Sequence, residues 1–326
     1  MSGDDIRDIA AALAGAPVTA VTAANAGGNS RIFRVSTASG TFALKAYPAR
    51  AGDPRARAET EWRTLGFLAE RGLTAVPRPL ARDASGRFLL MEWAEGEPVI
   101  AHGAADLREA ADFVAAVFAL SADPAAGAFP LASEACLSAA EIVRQLDRRL
   151  PLLAPPPPVA RFLEDSYRPL LPRQREAAAA RADYAIDLAA ARRRLIPADF
   201  GFHNALRQAG GALRFVDFEY FGWDDPVKLT ADFLLHPAMR LSADDRRFFV
   251  GRMQTALADD DDFPARLRRL LPLFALRWML ILFNPFRADR TADPRRQPDD
   301  SDPLVPDRLA KARAVLPWAA GDEAAF

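Results

Sequence analysis

Cysteine, lysine and asparagine are scarce in this chain of 326 residues. The single cysteine, Cys136, excludes an internal disulfide and a cysteine-rich metal site. Only three of the 42 basic residues are lysines, and only four residues are asparagines. Alanine and arginine are abundant instead, as expected of a coding bias against lysine and asparagine. We therefore give particular weight to Lys45 and Asn204 as candidate functional residues.

The chain also lacks an excess of charge and a long apolar run. Its 42 basic residues are balanced by 43 acidic ones. A net charge near zero gives no reason to expect nucleic acid or an anionic membrane as partner. The longest apolar stretch, 270–286, contains Arg277 and two prolines and is too short to cross a bilayer. The first residues, MSGDDIRDIAAALAGAP, are acidic and lack the basic segment of a secretory signal. We expect a cytoplasmic globular protein, monomeric or homodimeric, without a nucleic-acid or membrane partner.

The pattern along the chain changes near residue 95. Before it, short segments rich in Val, Ile, Phe and Thr alternate with glycine turns and surround one amphipathic helix over 54–71. After it, helical periodicity predominates, with a proline-rich loop at 151–158 and a polar loop at 287–303. We predict an α+β fold, in which residues 1–94 form a small antiparallel sheet lobe and residues 95–326 a larger, mostly helical lobe. The predicted strands are 18–24, 31–36, 41–47 and 86–93, and the predicted C-terminal helices are 106–120, 138–150, 159–167, 174–194, 243–258 and 265–283.

The segment 195–226, LIPADFGFHNALRQAGGALRFVDFEYFGWDDP, carries the strongest chemical signal. Asp199 and Asn204 lie in a short loop, and a turn and a strand then lead to Asp217. One carboxylate can position and deprotonate a hydroxyl, while an asparagine and a second aspartate offer the oxygen ligands that Mg²⁺ prefers on a nucleotide. A β-hairpin with polar turn residues is the alternative interpretation.

Three weaker signals precede this segment. The turn 25–33, NAGGNSRIF, is glycine-bearing and lets backbone N–H groups approach phosphates, although an ordinary hairpin turn has the same composition. Lys45 lies on an apolar strand and either binds an anion or occupies a solvent-facing edge. Glu61 shares a helical stripe with apolar residues that should face the sheet, so it needs a cation, and Lys45 is the obvious one. Glu59 is its competitor, unless it pairs with Arg63 on the helix surface.

The order of these features resembles that of the aminoglycoside phosphotransferase/choline kinase family, also called the phosphotransferase enzyme family. A glycine turn, a strand lysine and a helix glutamate are followed by an apolar strand, a linker, D-x-x-x-x-N and Asp-Phe-Glu. The resemblance runs from about Val18 to about His236 and is most specific in ADFGFHNAL and FVDFEYFGWDDP. It implies a bilobal protein-kinase-like fold and ATP-dependent transfer of phosphate to a small-molecule hydroxyl.

The resemblance also implies roles for individual residues. Asp199 is the expected catalytic base, and Asn204 and Asp217 are the expected ligands of Mg²⁺. Lys45 is expected to bind the α- and β-phosphates of ATP and to pair with Glu61.

The remaining contacts to the nucleotide are expected from the glycine turn and from the hinge after residue 90. Gly28, Asn29 and Ser30 are the expected cradle for the phosphates. The hinge is Met91-Glu92-Trp93-Ala94, in which the Glu92 carbonyl and the Ala94 N–H meet the edge of the adenine.

Departures from the family pattern concern the loop around the base. The family usually has His-Gly before the aspartate and a second histidine two positions after it, where this chain has Pro197-Ala198 and Gly201. His203 precedes Asn204 instead, and is either a hydrogen-bonded structural group or an acid/base group. Because the missing histidines organise the loop rather than perform chemistry, we expect an active enzyme.

Several residues of the helical lobe leave two interpretations open. Asp232 either buttresses the catalytic loop or caps a helix. The acidic run 259–262 either attracts a cationic substrate or is a solvated loop. Trp278 and Phe283 either line a substrate pocket, together with Trp223 and Asn284, or belong to the core.

We expect the acceptor to be a sugar or amino sugar. A polycation requires a dense cluster of carboxylates, whereas Asp224, Asp225 and the run 259–262 are accompanied by many arginines in the helical lobe. An aminoglycoside or a choline-like amino alcohol is the alternative acceptor. A nucleotide-binding regulatory pseudokinase is the alternative of a different class.

Overall fold

The computed structural model describes residues 3–26, 30–48, 56–290 and 302–322. The chain divides into two compact units. The first comprises residues 1–113 and 197–222, and the second comprises residues 114–196 and 223–326. The first unit therefore combines the N-terminal sheet with the later segment that carries Asp199, Asn204 and Asp217.

Five antiparallel strands form the main sheet of the first unit. They are β1 (Val18–Ala26), β2 (Arg31–Thr37), β3 (Gly40–Ala46), β4 (Pro79–Arg82) and β5 (Phe88–Glu92). Their order in the sheet is β1-β2-β3-β5-β4. The glycine at residue 40 has φ +145°, a conformation that only glycine adopts readily, and permits the tight turn between β2 and β3. The predicted α+β fold with an N-terminal antiparallel sheet is confirmed.

The two faces of this sheet differ in chemistry. Helix α1 (Gly3–Ala14) packs on one face, where Val35, Leu44 and Leu90 form a buried apolar cluster with Ile6. Side chains alternate along a strand, so Lys45 projects to the opposite face, where helix α2 (Arg57–Glu70) contacts β4 and β5. Because α1 covers the apolar face of the sheet, the face that carries Lys45 is available for a buried polar site.

The rest of the first unit supports the 197–222 segment. Strands β6 (Glu97–Pro98), β8 (Ala205–Arg207) and β9 (Leu213–Phe215) form an antiparallel sheet in the order β6-β8-β9. Strand β7 (Arg194–Ile196) lies between β6 and β8 in the sequence but is not part of this sheet. Arg207 donates to Asp106, with 2.7 Å between Nη2 and Oδ2, and anchors β8 to helix α3 (Ala104–Ala119), which continues into the second unit.

Helices dominate the second unit. Its elements are α4 (Ala139–Arg149), α5 (Pro157–Phe162), α6 (Arg168–Ala179), β10 (Gly222–Asp224), α7 (Pro226–Leu235), α8 (Ala243–Ala256), α9 (Phe263–Leu282) and α10 (Leu304–Ala320). Helix α9 is buried along most of its length and packs against α4, α6, α7 and α10. Strand β7 pairs with β10.

One helix prediction is wrong. The predicted helix 174–194 ends at Ala179, and residues 180–189 form turns and irregular backbone. Leu188 N donates to Leu137 O at 2.7 Å, and Arg181 is bound to Asp183. These tertiary and local contacts override the helix propensity of the alanines.

No helix within the described ranges is both long and apolar enough to cross a membrane.

Candidate active site

Lys45 is the centre of a buried ionic cluster in the first unit. Its Nζ lies 2.6 Å from Glu61 Oε2, 2.6 Å from Asp217 Oδ1 and 3.4 Å from Glu219 Oε2. The Lys45 and Glu61 side chains are almost completely buried, whereas that of Asp217 is 31% exposed. The cluster thus joins strand β3, helix α2 and the segment after β9, and Asp217 is its accessible member.

Electrostatics keep the Lys45 ammonium charged. Burial by itself lowers the pKa of a lysine. The negative charges of Glu61, Asp217 and Glu219 outweigh burial and raise the pKa of Lys45 above its ordinary value. A positive charge is therefore present at this position at every physiological pH, as binding of a phosphate requires.

Two further hydrogen bonds fix Glu61. The hydroxyl of Tyr47, two residues after Lys45, donates to Glu61 Oε2. The backbone N–H of Phe218 donates to Glu61 Oε1 at 3.3 Å. Burial and the Glu61 charge raise the pKa of Tyr47, so it remains a donor. Glu59, the competitor on α2, forms an ion pair with Arg82 instead.

Sequence reasoning did not single out Glu219, Tyr47 or Arg57. Glu219 is fully buried, and its Oε1 lies 3.5 Å from Arg57 Nη1. Its Oε2 has no hydrogen bond within the described part of the chain, apart from the longer ionic contact with Lys45. Glu219 follows Asp217 by two residues, and both carboxylates reach Lys45 although 217–219 is not a strand and Asp217 has a left-handed backbone. Strand alternation therefore does not predict this contact.

Two residues of the 197–222 segment adopt a left-handed backbone. Asp217 has φ +71° and Ala198 has φ +61°. Such conformations cost about 1–3 kcal/mol in residues other than glycine and concentrate at functional sites. At Asp217 the turn directs the carboxylate to Lys45. At Ala198 it closes a tight turn in which Asp199 N donates to Pro197 O at 2.8 Å.

The loop after Asp199 is held by its own polar groups. His203 Nε2 lies 3.0 Å from Asp199 Oδ1, and Asn204 Nδ2 donates to the Asp199 carbonyl at 2.9 Å. The Asn204 carbonyl accepts from Val216 N at 2.9 Å, which brings Asn204 beside the residue that precedes Asp217. The side chain of Asp199 is 45% exposed. The three residues predicted from the 195–226 segment are thus assembled in one unit, around an accessible carboxylate.

Aromatic side chains of this loop pack against neighbouring rings and hold its conformation. Phe202 is buried and stacks on His102, with ring centroids 4.7 Å apart. Phe200 stacks on Phe113 of helix α3 at 5.6 Å and packs against Phe215 of β9 at 4.9 Å. Because the side chains on both sides of Gly201 are packed in this way, the loop keeps its conformation without the two histidines of the family pattern.

The predicted nucleotide contacts are only partly described. Gly28 and Asn29 lie outside the described residues, and Ser30 is buried just before β2. Glu92 ends β5, and its carboxylate binds Arg78 through Nε at 2.7 Å. Ala94 follows β5 outside regular secondary structure and is half-buried. The adenine contacts of Glu92 and Ala94 stay predictions.

The residues present fit a magnesium ion. Asn204 uses its Nδ2 as a donor to the Asp199 carbonyl, which leaves the amide oxygen as a ligand. Asp217 uses Oδ1 toward Lys45, and its carboxylate is accessible. Two hard oxygen donors, completed by phosphate oxygens and water, are the set that Mg²⁺ prefers. Glu61, Asp217 and Glu219 also place carboxylate oxygens within 4.8 Å of one another, but the Lys45 ammonium already contacts all three.

In the second unit, the structure decides between several interpretations. Asp232 lies inside α7, where it accepts from Trp278 Nε1 at 2.7 Å and Lys228 Nζ at 2.9 Å. It is therefore not a helix cap, and Asp225 caps α7 instead. Trp278 and Phe283 are buried, in agreement with the core interpretation.

The acidic run 259–262 is not simply a solvated loop. Asp260 is buried and binds Arg266, with 2.6 Å between Oδ2 and Nη2. Asp259 binds Arg194 at 2.5 Å, and Asp262 binds Arg269 at 3.0 Å. The run therefore forms ion pairs within the second unit.

Comparison with known proteins agrees with this architecture. The sequence profile described as the phosphotransferase enzyme family matches residues 20–270. None of the curated proteins gave a significant match. Among solved structures, the chain is similar to spectinomycin phosphotransferase in complex with ADP and spectinomycin, with a TM-score of 0.64, 7% identity, and coverage of 99% of both chains.

Two further structures have the same fold. One is choline kinase from Streptococcus pneumoniae, with a TM-score of 0.60, 14% identity, and coverage of 96% of this chain and 98% of that one. The other is macrolide 2′-phosphotransferase from Brachybacterium faecium, with a TM-score of 0.55, 16% identity, and coverage of 97% of both chains.

The fold and the family match define a phosphotransferase with a kinase-like architecture. The chain belongs to the phosphotransferase enzyme family, and the resemblance noted in the sequence is confirmed.

Proposed function

We propose that this protein is an ATP-dependent kinase that transfers the γ-phosphate to a hydroxyl of a sugar or amino sugar. The observation that carries the proposal is the position of Lys45, whose ammonium bridges Glu61 and the accessible Asp217 in the unit that also holds the Asp199–Asn204 loop. A lysine fixed by a helix glutamate beside a metal-binding aspartate is suited to hold the phosphates of a nucleotide.

Asp199 acts as the base in this proposal. Its exposed carboxylate accepts the proton of the acceptor hydroxyl while the hydroxyl oxygen bonds to the γ-phosphorus. The bond to the β–γ bridging oxygen breaks, and ADP leaves with that oxygen. His203 acts through Asp199, because its Nε2 lies 3.0 Å from Asp199 Oδ1 and orients that carboxylate.

Asn204 and Asp217 would hold Mg²⁺, and Lys45 would bind the α- and β-phosphates. A bound magnesium ion neutralises phosphate charge and orients the γ-phosphoryl group. The left-handed backbone at Asp217 directs its carboxylate before any ligand arrives, so little ordering remains when the nucleotide binds.

The acceptor class follows from the carboxylates that the helical unit has available. Asp260 is buried against Arg266, and Asp259 and Asp262 are bound by arginines. A polycation would have to displace these arginines at a cost in ion-pair energy. A hydroxylated molecule with little net charge does not require this. The spectinomycin, choline and macrolide named for the similar structures are likewise small molecules.

The test is a coupled assay of ADP release with ATP, Mg²⁺ and a panel of monosaccharides, amino sugars, amino alcohols and aminoglycosides. We expect the highest kcat/KM with a sugar or amino sugar. A higher kcat/KM with choline, ethanolamine or a kanamycin-like compound would contradict the acceptor class. No turnover with any acceptor, combined with tight nucleotide binding, would favour a regulatory pseudokinase instead.

A further inference from the structure

The second unit contains a cavity of its own, apart from the residues assigned to phosphoryl transfer. Its volume is about 490 Å³, and its lining comes from α4, α6, the 181–192 segment, the start of α7 and the first turns of α9. All of its lining residues belong to the second unit, whereas the Lys45 cluster and the Asp199 loop belong to the first.

The charges in this cavity are balanced. Four arginines and four aspartates line it: Arg181, Arg192, Arg266, Arg269, Asp183, Asp187, Asp225 and Asp262. At the buried end, Arg266 Nε lies 2.8 Å from Asp225 Oδ2. Nearer the surface, Arg269 donates to both oxygens of Asp262, at 3.0 and 3.1 Å. The cavity therefore has no excess charge of either sign that would attract a polyanion or a polycation.

The ion pairs differ in the hydrogen-bonding capacity that they leave. A carboxylate has about four lone-pair sites and a guanidinium has five N–H donors. Arg266 directs all five of its N–H groups to Asp225, Asp260 and Asp262. In the described contacts, Arg269 and Arg181 use only some of theirs on Asp262 and Asp183, which leaves donors for a ligand that does not break these pairs. A charged ligand would have to displace a partner or lie beside a like charge, and both cost free energy. Hydroxyl groups, which donate and accept, have neither cost.

A serine hydroxyl also lines the cavity. Ser138 precedes helix α4 and is only 6% exposed. Its side chain does not cap α4. A hydroxyl that its own helix does not engage can donate to, or accept from, a hydroxyl of a ligand in the cavity.

The rim adds an apolar surface. Ile186 is 67% exposed and lines the cavity, and the buried Leu188 also belongs to the lining. Sugars present C–H faces as well as hydroxyl groups, and an exposed aliphatic side chain beside oriented polar groups matches both. An isolated exposed apolar residue needs no explanation, but here it borders a polar cavity.

We propose that this cavity binds a neutral polyhydroxyl molecule of mono- to disaccharide size. It is a binding site distinct from the residues of phosphoryl transfer, and its occupancy does not depend on whether that molecule is phosphorylated. The proposal goes beyond the proposed kinase reaction and does not require it.

The experiment is ligand-observed NMR titration of the full chain with glucose, sucrose and trehalose, and with sulfate and spermidine as charged probes. The test variant is Ala177→Trp, which fills the cavity from an exposed position on α6. The matched control is Ala179→Trp, an exposed alanine of the same helix outside the lining. Ser138→Ala is a second test variant that only removes the hydroxyl.

We expect at least one of the three sugars to bind the native protein, with affinity at least tenfold lower in Ala177→Trp, several-fold lower in Ser138→Ala, and unchanged in Ala179→Trp. A sugar bound elsewhere, including at the kinase acceptor site, gives a signal that Ala177→Trp keeps. The proposal is overturned if no sugar binding depends on Ala177, or if sulfate or spermidine binds there in place of the sugars. Because the readout is binding, failure of the kinase assignment would appear separately, as absent turnover.

Discussion

Two of the three lysines in this chain are buried, one in each compact unit, and their surroundings differ. Lys45 and Lys228 both have side chains only 3% exposed, and both contact carboxylates. In both cases burial lowers the pKa, the neighbouring negative charges more than offset it, and the pKa is raised. Both lysines are buried and charged, but they differ in which parts of the chain they connect.

Lys45 connects segments that are far apart in sequence, whereas Lys228 binds within its own helix. Lys45 contacts Asp217, 172 residues away, and that carboxylate is 31% exposed. Lys228 binds Asp232, four residues later on α7, which also accepts from Trp278. An ammonium that reaches an accessible carboxylate can meet a ligand, whereas one enclosed among core groups holds a helix in place. Burial of a charged residue alone therefore does not identify a functional site.

The largest effect should come from Asp199→Asn. We expect kcat to fall by about three orders of magnitude or more, because the base acts in the transition state, while binding of Mg-ATP changes little. The measurements are steady-state kinetics on a confirmed acceptor and calorimetric titration with Mg-ATP. Asp217→Asn is the companion variant and should weaken nucleotide binding itself. Wild-type kcat in Asp199→Asn would show that another residue is the base.

The second effect concerns the stability of the helical unit and its dependence on pH. Burial raises the pKa of Asp224 from 3.8 to about 7, and the nearby charge of Lys228 only partly opposes this. The folded state therefore holds the proton more tightly than the unfolded state between about pH 4 and pH 7. The protonated carboxyl stabilises the fold fully below about pH 4, and this contribution is lost as the pH rises to about 7.

Asp224→Asn removes this dependence and retains an oxygen acceptor for the N–H groups of Cys136 and Asp225. The free energy of unfolding of the native protein relative to this variant should fall between pH 4 and 7, by an amount on the order of 4 kcal/mol. Above pH 7 the difference should be constant. Urea unfolding at several pH values measures it, and a difference that is constant from pH 4 to 7 would contradict the burial effect.

The smallest effect separates Glu61 from Glu59. Glu61→Gln should raise the KM for ATP by about tenfold and couple to Lys45→Ala, since residues in direct contact have non-additive effects. Glu59→Gln, on the same helix but paired with Arg82, should leave the KM unchanged. A double-mutant cycle on the KM for ATP measures the coupling. Coupling of Lys45 to Glu59 rather than Glu61 would contradict the geometry of α2.

The elements around Lys45 could be predicted because their signals are local. Strand alternation predicts that Leu44 and Lys45 lie on opposite faces of the sheet, and helical periodicity predicts that Glu61 lies on the face of α2 toward the sheet. The helix predicted over 174–194 failed because its alanines favour a helix, while Leu188 is held by a backbone hydrogen bond to Leu137. That contact spans about fifty residues and leaves no trace in a local pattern.

The same reason explains the carboxylates that sequence reasoning misjudged. The sequence interprets the run that contains Asp260 as a loop that attracts a cation or is solvated, but Asp260 is buried against Arg266, which also binds Asp225. Glu219 was noted only as part of a motif, and its position beside Lys45 depends on the backbone turn at Asp217. A charge pattern shows which groups are present, but only the tertiary structure pairs them.

The most direct test compares Lys45→Met with Lys228→Met. Both substitutions remove a buried ammonium, and binding of Mg-ATP is measured at a temperature at which circular dichroism shows each variant to be folded. If Lys45 belongs to the nucleotide site and Lys228 to the structural core, Lys45→Met weakens Mg-ATP binding at least tenfold. Lys228→Met then keeps the native affinity. Native affinity in Lys45→Met, or an equal loss in both variants, would contradict the assignment.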